Sequence, residues 1–257
     1  MKQTKFIAAI FSAVVLLSAC DKEDSNDYQP QPEAKVVKAS GDLTAALAEF
    51  RHILGDSLNT VPGKTSGRRE VNWDGVPANL NNNDAFPFDF FNTVGDGIPN
   101  GRKRGLLYIN DGTTLRVDSS DFGSIDPSYA AQFNSFSGKR MFCGSNSHIT
   151  QVAFQIPGET TPAFIKGFGV VFSDVDDPNA TSLEFFNGTK SLGVFKAPVA
   201  GANSFSFLGV YFPGEKITRV RITAGNAKLA AGVKDLSDGG PKDLVAMDDF
   251  FYNEPSK

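Results

Sequence analysis

The sequence is poor in the residues from which catalytic sites are most often built. Its 257 residues include two histidines, two cysteines and one tryptophan. A catalytic zinc ion usually takes three protein ligands, often histidines, and here His52 and His148 lie far apart in the chain. No Gly-x-Ser-x-Gly turn is present to carry a nucleophilic serine. We therefore expect a protein that is not an enzyme.

An excess of basic charge is missing as well. The chain has 25 Lys and Arg against 29 Asp and Glu, a formal net charge of −4, and no basic block. Nucleic acids and anionic bilayers attract proteins through clustered lysines and arginines. The sequence therefore predicts no nucleic-acid partner, and any attachment to a membrane must come from a lipid.

The N-terminus has the pattern of a secretory signal. Lys2 and Lys5 precede an apolar run over residues 7–17, which is too short for a membrane-spanning helix, and small residues lead to Cys20. This pattern resembles a bacterial lipoprotein signal. The resemblance implies a signal peptide over residues 1–19 and lipidation of Cys20, with palmitate among the acyl chains.

The four residues after Cys20 read Asp-Lys-Glu-Asp and resemble the tag that sends lipoproteins of Bacteroidota to the outside of the outer membrane. We therefore expect an outer-membrane protein that is lipid-anchored and exposed at the cell surface. Residues 20–39 are polar and without periodicity, which predicts a disordered tether. If Cys20 carries lipid, Cys143 has no partner within the chain and should be a buried, inert thiol.

One amphipathic helix is predicted at about residues 42–54, within a segment of helix and connecting loop over residues 40–66. Its apolar side chains recur at helical spacing: Leu43, Leu47, Phe50 and Leu54. Ser40 or Asp42 can cap its start, and Gly55 stands where a left-handed residue would end it. A helix this short must pack on other elements to be stable.

The rest of the chain, residues 67–257, has the composition and the short alternating segments of an all-β domain. There are 23 Phe, 25 Gly and 14 Pro, which suits a phenylalanine-packed sandwich with many turns. Residues 205–212 are apolar on both faces and should form a central strand. Candidate strands cover residues 68–74, 104–109, 113–118, 138–143, 148–155, 163–173, 181–187, 190–195, 204–212, 217–223 and 243–252. Many short strands without a second helix predict a jelly-roll-like β-sandwich.

Four segments, residues 67–77, 167–176, 205–210 and 243–252, together resemble a β-sandwich domain of secreted and surface-anchored bacterial proteins. The resemblance covers about residues 45–255. It implies a fold similar to that of jelly-roll carbohydrate-binding modules, and it carries no active site across. Trp73, the single tryptophan, is the candidate for ligand binding by stacking on a sugar, although a core position is the alternative.

Consecutive aspartates in the last candidate strand predict a metal site. Neighbouring residues of a strand point to opposite faces, so Asp248 or Asp249 must lie among apolar side chains and needs compensation. If the last strand lies beside the first, Ca²⁺ held by Asp74, Asp248 and Asp249 would supply it. An ion pair with Arg68 or Arg69, or exposure at the strand end, are the alternatives.

A second acidic cluster follows the candidate strand at residues 163–173. Asp174, Asp176 and Asp177 alternate with other residues ahead of Asn179. They form either a calcium loop or a solvated turn, and the glycine and glutamate of an EF-hand are missing.

The function these observations favour is a cell-surface lipoprotein whose sandwich binds an extracellular ligand, a glycan, without catalysis. The scarcity of Trp and Tyr counts against sugar binding. The first alternative is a structural or interaction module that packs against another envelope protein. An enzyme acting on polysaccharide is the weaker alternative, since two facing carboxylates would suffice but no pair is indicated.

Overall fold

A computed structural model describes residues 32–257. The predicted signal peptide, Cys20 and the export tag lie outside the described residues. Within the described part of the chain, no helix is both long enough and apolar enough to cross a membrane.

Residues 32–257 form one α-helix, α1 (Thr44–Leu54), and twelve strands. The strands are β1 (Lys35–Ser40), β2 (Arg68–Val71), β3 (Leu106–Tyr108), β4 (Leu115–Asp118), β5 (Met141–Gly144), β6 (Ile149–Phe154), β7 (Gly167–Ser173), β8 (Ser182–Asn187), β9 (Lys190–Lys196), β10 (Phe205–Tyr211), β11 (Arg219–Thr223) and β12 (Ala246–Asn253). Each of the eleven predicted strands is present, mostly with shorter bounds.

The strands build two antiparallel sheets. The first has the order β1-β10-β7-β12-β5-β4, with β2 paired to the second half of β12, and the other has the order β3-β6-β11-β8-β9. From β5 to β12 the chain crosses repeatedly from one sheet to the other, as in a jelly roll. Four neighbouring strands of the first sheet, β5-β12-β7-β10, therefore lie opposite four of the second, β6-β11-β8-β9. The predicted all-β, jelly-roll-like sandwich is confirmed.

The space between the sheets is filled mainly by aromatic rings, which explains the phenylalanine content. Phe142 stacks on Trp73 with ring centroids 5.0 Å apart, and Phe250 meets the same indole edge-on at 5.0 Å. Phe86, Phe90 and Phe91 reach this core from the long loop before β3 and anchor the loop to it.

Helix α1 packs on the outer face of the first sheet, where Phe50 is fully buried. Gly169 and Gly209 face each other across β7 and β10, and a Cβ on either would lie 2.8 Å from the Phe50 ring. The helix therefore covers the second apolar face of β10, which lies inside the sheet as predicted.

The ends of α1 differ partly from the prediction. Asp42 accepts a hydrogen bond from the Thr44 backbone N–H at 2.9 Å, but the N-cap position is Leu43, which makes no side-chain capping bond. Gly55 has φ 128° and ψ 135°, a positive-φ conformation that favours glycine but differs from the left-handed helical one that was predicted. Glycine is needed there because a Cβ would lie 2.7 Å from the Gly67 Cα.

The predicted tether over residues 20–39 is wrong at its C-terminal end, because residues 35–39 belong to β1. This strand pairs with β10 along its length, from Lys35 opposite Tyr211 to Ser40 opposite Ser206. Only Val37 of β1 is buried, so the segment lacks an apolar alternation. The unpaired edge of β10, which is a property of the tertiary fold, makes this polar segment a strand.

Candidate functional site

The predicted adjacency of the first and last predicted strands is confirmed, since β2 pairs with β12. The predicted alternation along β12 is wrong, because a β-bulge lies between Met247 and Phe250. Both of these side chains face the core between the sheets. The extra residue therefore places Asp248 and Asp249 together on the outer side of the strand.

Both aspartates are buried, and segment 136–139 supplies their hydrogen bonds. Asp248 Oδ2 accepts from the backbone N–H groups of Phe136 at 2.6 Å and Ser137 at 3.2 Å. Asp249 Oδ1 accepts from the Ser137 hydroxyl at 2.6 Å. Burial, followed by the neighbouring charge of Asp249, raises the pKa of Asp248 to about 8.

Asp74 contacts the same segment from the end of β2. Its Oδ1 accepts from the Lys139 backbone N–H at 2.8 Å, and Gly138, with φ +59°, leaves no room for a Cβ against the carboxylate. The three predicted calcium ligands thus share a structural partner, segment 136–139. Calcium binding at these residues stays a prediction.

The two alternatives for these aspartates are wrong. Exposure is contradicted by their burial. The arginines have other partners: Arg68 Nε lies 2.7 Å from Glu70 Oε1, and Arg69 forms a bidentate pair with Glu254.

Trp73 is 0 % exposed, so the prediction that it binds a ligand by stacking is wrong. Its indole ring lies between Phe142, Phe91 and Phe250. Phenylalanine rings already cover the indole on which a sugar would stack. Trp73 therefore has the core position that was the alternative prediction.

A cleft of about 340 Å³ opens directly beside Trp73. Its lining comes from the loop after β2 and from the long loop before β3: Val71, Asn72, Gly75, Val76, Pro77, Phe90, Phe91, Pro99, Gly101, Arg102 and Arg104. The volume lies at the lower end of the range of small-molecule sites, and the lining is mostly apolar with a few polar groups, as such sites usually are.

Arg102 and Arg104 give the cleft a positive charge. Arg102 lies over the Phe90 ring, 4.5 Å from its centroid, and donates to the Thr93 hydroxyl at 2.9 Å. Arg104 donates to the Glu70 backbone carbonyl at 2.8 Å. The Nε of each arginine is buried without a hydrogen-bond partner. Throughout residues 32–257, neither guanidinium forms an ion pair with a carboxylate.

Neither arginine was predicted as a site residue from the sequence. They stand in Gly101-Arg102-Lys103-Arg104, where three basic residues follow a stretch rich in Asn, Asp and Gly. That local basic cluster was the available signal. Its meaning depends on the tertiary fold, which places two of the three side chains beside Val76 and Phe90.

Cys143 offers no reactive thiol. Cys143 is a free, buried thiol on β5, and burial raises its pKa well above the usual range. The predicted inert thiol is confirmed. Burial lowers the pKa of His148.

No protein-family model, curated protein or solved structure matches this chain. The resemblance to surface-anchored bacterial domains and to carbohydrate-binding modules therefore stays a prediction.

Proposed function

We propose that this chain is a lipoprotein, anchored at Cys20 in the outer membrane and exposed at the cell surface, whose β-sandwich binds an extracellular glycan without catalysis. The observation that carries the proposal is the apolar, arginine-lined cleft beside Trp73. It combines a concave shape with a small number of oriented polar groups, which is the usual composition of a ligand site.

The charge of the cleft narrows the ligand class to acidic glycans. A guanidinium matches the planar carboxylate of a uronic acid, and also a sulfate ester, with two parallel hydrogen bonds. The exposed residues Pro77 and Pro99 offer apolar surface to a sugar ring, and Asn72 offers an amide for hydroxyl groups. The cleft therefore does not require an exposed tryptophan.

We expect the protein to bind uronate-containing or sulfated glycans and to lose that binding when the cleft arginines are replaced. A hydrogen bond to a charged group contributes about 1.5–3 kcal/mol, so Arg104→Gln should weaken binding about tenfold or more. Arg102→Gln should act similarly. The measurement is a glycan array with neutral, uronate and sulfated members, followed by titration calorimetry on the best ligand.

Arg221→Gln is the matched control, because Arg221 is a partly exposed arginine of β11 in the other sheet, paired with Glu184 at 3.2 Å. It should bind as the unsubstituted protein does. Equal loss in all three variants would mean that charge in general, and not the cleft, attracts the glycan. Binding to no glycan class would end the glycan proposal. Capture of an envelope protein through the cleft would favour the interaction alternative.

Location has its own prediction. Cys20→Ala should move the protein from the membrane fraction to the soluble fraction, because the acyl chains supply the attachment. Alanines at residues 22–24 should leave it anchored but protected from protease added to intact cells. Unchanged protease sensitivity after that second substitution would contradict the export-tag interpretation and leave the lipid anchor intact.

A further inference from the structure

Four aspartates from separate parts of the sequence meet at one end of the sandwich. Asp174 directly follows β7 and has a left-handed backbone, φ +66°. Because β7 and β12 are antiparallel neighbours, with Ser173 opposite Ala246, the residues just before β12 return to this end and bring Asp243. The loop between β11 and β12 adds Asp235, and Asp176 lies two residues beyond Asp174.

The carboxylate of Asp174 is buried without any partner. Asp174 is 0 % exposed, and neither of its oxygens accepts a hydrogen bond. The Gln132 amide lies beside it, but its Nε2 is also unpaired. One oxygen each of Asp176 and Asp243 is likewise buried and unpaired. No lysine or arginine nitrogen of the described residues lies within 4.0 Å of these four carboxylates.

Both oxygens of Asp235 and one oxygen of Asp243 are held by backbone N–H groups. Asp235 accepts from the N–H of Leu244 at 2.6 Å and of Ser237 at 2.7 Å. Asp243 Oδ1 accepts from the Asp176 N–H at 2.9 Å. These bonds fix the orientation of two carboxylates around the unpaired oxygens, so the cluster is organised without being neutralised.

Leaving these charges uncompensated is costly. Burial, with Asp235 as the strongest charged neighbour, raises the pKa of Asp174 to about 8. Burial is also the main reason why the pKa values of Asp176 and Asp243 are raised to about 6. Near neutral pH the cluster therefore needs either protons or a cation.

We propose that Asp174, Asp176 and Asp235 bind one calcium ion, with Asp243 as a neighbouring carboxylate. Three carboxylate oxygens, one from each of Asp174, Asp176 and Asp235, lie within 4.8 Å of one another. Two oxygens that share a Ca²⁺ ion at 2.3–2.6 Å can be at most about 5.2 Å apart, so this spacing fits. Calcium takes six to eight oxygen ligands, so water would complete the shell.

The ion would have a route from solvent. A surface cavity of about 260 Å³ is lined by Gln132, which lies beside Asp174, and by Ser237, whose hydroxyl donates to Asp235 at 2.6 Å. Bound calcium would join the turn after β7 to the loop before β12. It would therefore stabilise the end of the sandwich formed by these turns, and it would do so only in the folded state.

The test is calcium titration calorimetry and thermal melting of the full chain in detergent, each with calcium and with chelator. We expect one ion per chain, with a Kd up to about 10⁻³ M, as in extracellular calcium modules. Calcium at about a hundred times Kd should raise the melting temperature by roughly 5–10 °C. Asp174→Asn should abolish this shift and, in chelator, melt no lower than the unsubstituted protein, because it removes an uncompensated buried charge.

Two further variants distinguish calcium at this cluster from calcium at the exposed carboxylates nearby or at the bulge of β12. Asp238→Asn, an exposed neighbour on the same loop that pairs with Lys234 at 3.8 Å, should keep the full calcium shift. Asp248→Asn should also keep it, whereas its loss there would place the ion at the bulge and overturn the proposal. An unsubstituted protein that melts identically in calcium and chelator, or an Asp174→Asn variant that still binds calcium, would overturn it as well.

Discussion

Replacing Arg69 by alanine should lower the free energy of unfolding by about 3–5 kcal/mol, because it leaves a buried carboxylate without its counterion. The Arg69 and Glu254 side chains are 0 % and 2 % exposed, and two hydrogen bonds of 2.8 and 2.7 Å join them. Asn59 donates a further bond of 2.8 Å to Glu254. The pair connects β2 to Glu254, the residue that follows β12, so its loss weakens the pairing of β2 with β12.

Chemical denaturation measures this effect, and Arg68→Ala is the matched control. Arg68 is the preceding residue of β2, and the Glu70 carboxylate it contacts also accepts two bonds of 2.9 Å from Arg51. We therefore expect a smaller loss for Arg68→Ala than for Arg69→Ala. The double variant Arg69→Met, Glu254→Gln should recover much of the stability, because it leaves no buried charge. Equal losses for the two single arginine variants would contradict the assignment.

Replacing Trp73 by alanine should cost about 3–5 kcal/mol of stability, since it empties the centre of the aromatic core. The indole stacks on Phe142 with an interplanar angle of 9° and meets Phe250 edge-on at 88°. A Trp that served as an exposed ligand platform would behave differently: its removal would leave the melting temperature unchanged and abolish binding.

The control for this prediction is Trp73→Phe, which keeps an aromatic ring in the same space and should lose less stability than Trp73→Ala. Thermal melts in parallel with glycan binding distinguish the two roles. An unchanged melting temperature for Trp73→Ala would refute the core assignment. If Trp73→Phe keeps both stability and binding, the cleft acts through its own lining and not through the indole.

The sequence alone was sufficient to predict the helix and eleven of the twelve strands of residues 32–257. The alternation in residues 217–223 and the helical spacing of Leu43, Leu47 and Phe50 reflect burial on one face, and one buried face leaves a direct pattern in the sequence. The same holds for the apolar segment at residues 205–212. Because both of its faces are apolar, this segment was predicted to be an internal strand. In the structure one face packs in the core between the sheets and the other packs against α1.

The order of the strands and their irregularities were decided by the tertiary structure. β1 has little pattern of its own and becomes a strand because β10 offers an unpaired edge. The bulge in β12 turns two successive aspartates to the same side, which simple alternation cannot predict. The partners of those aspartates, the backbone N–H groups of segment 136–139, lie more than 100 positions away in the chain.

The same division applies to the candidate sites. The sequence showed that Asp174 and Asp176 are close to each other, whereas the short basic segment that contains Arg102 and Arg104 was not recognised as a site. It could not show that Asp174 is buried beside Asp235 and Asp243, or that the two arginines line a cleft beside Trp73. Composition and periodicity record whether a residue is buried. Which residues share a buried place depends on long-range strand pairing, and only the folded chain determines it.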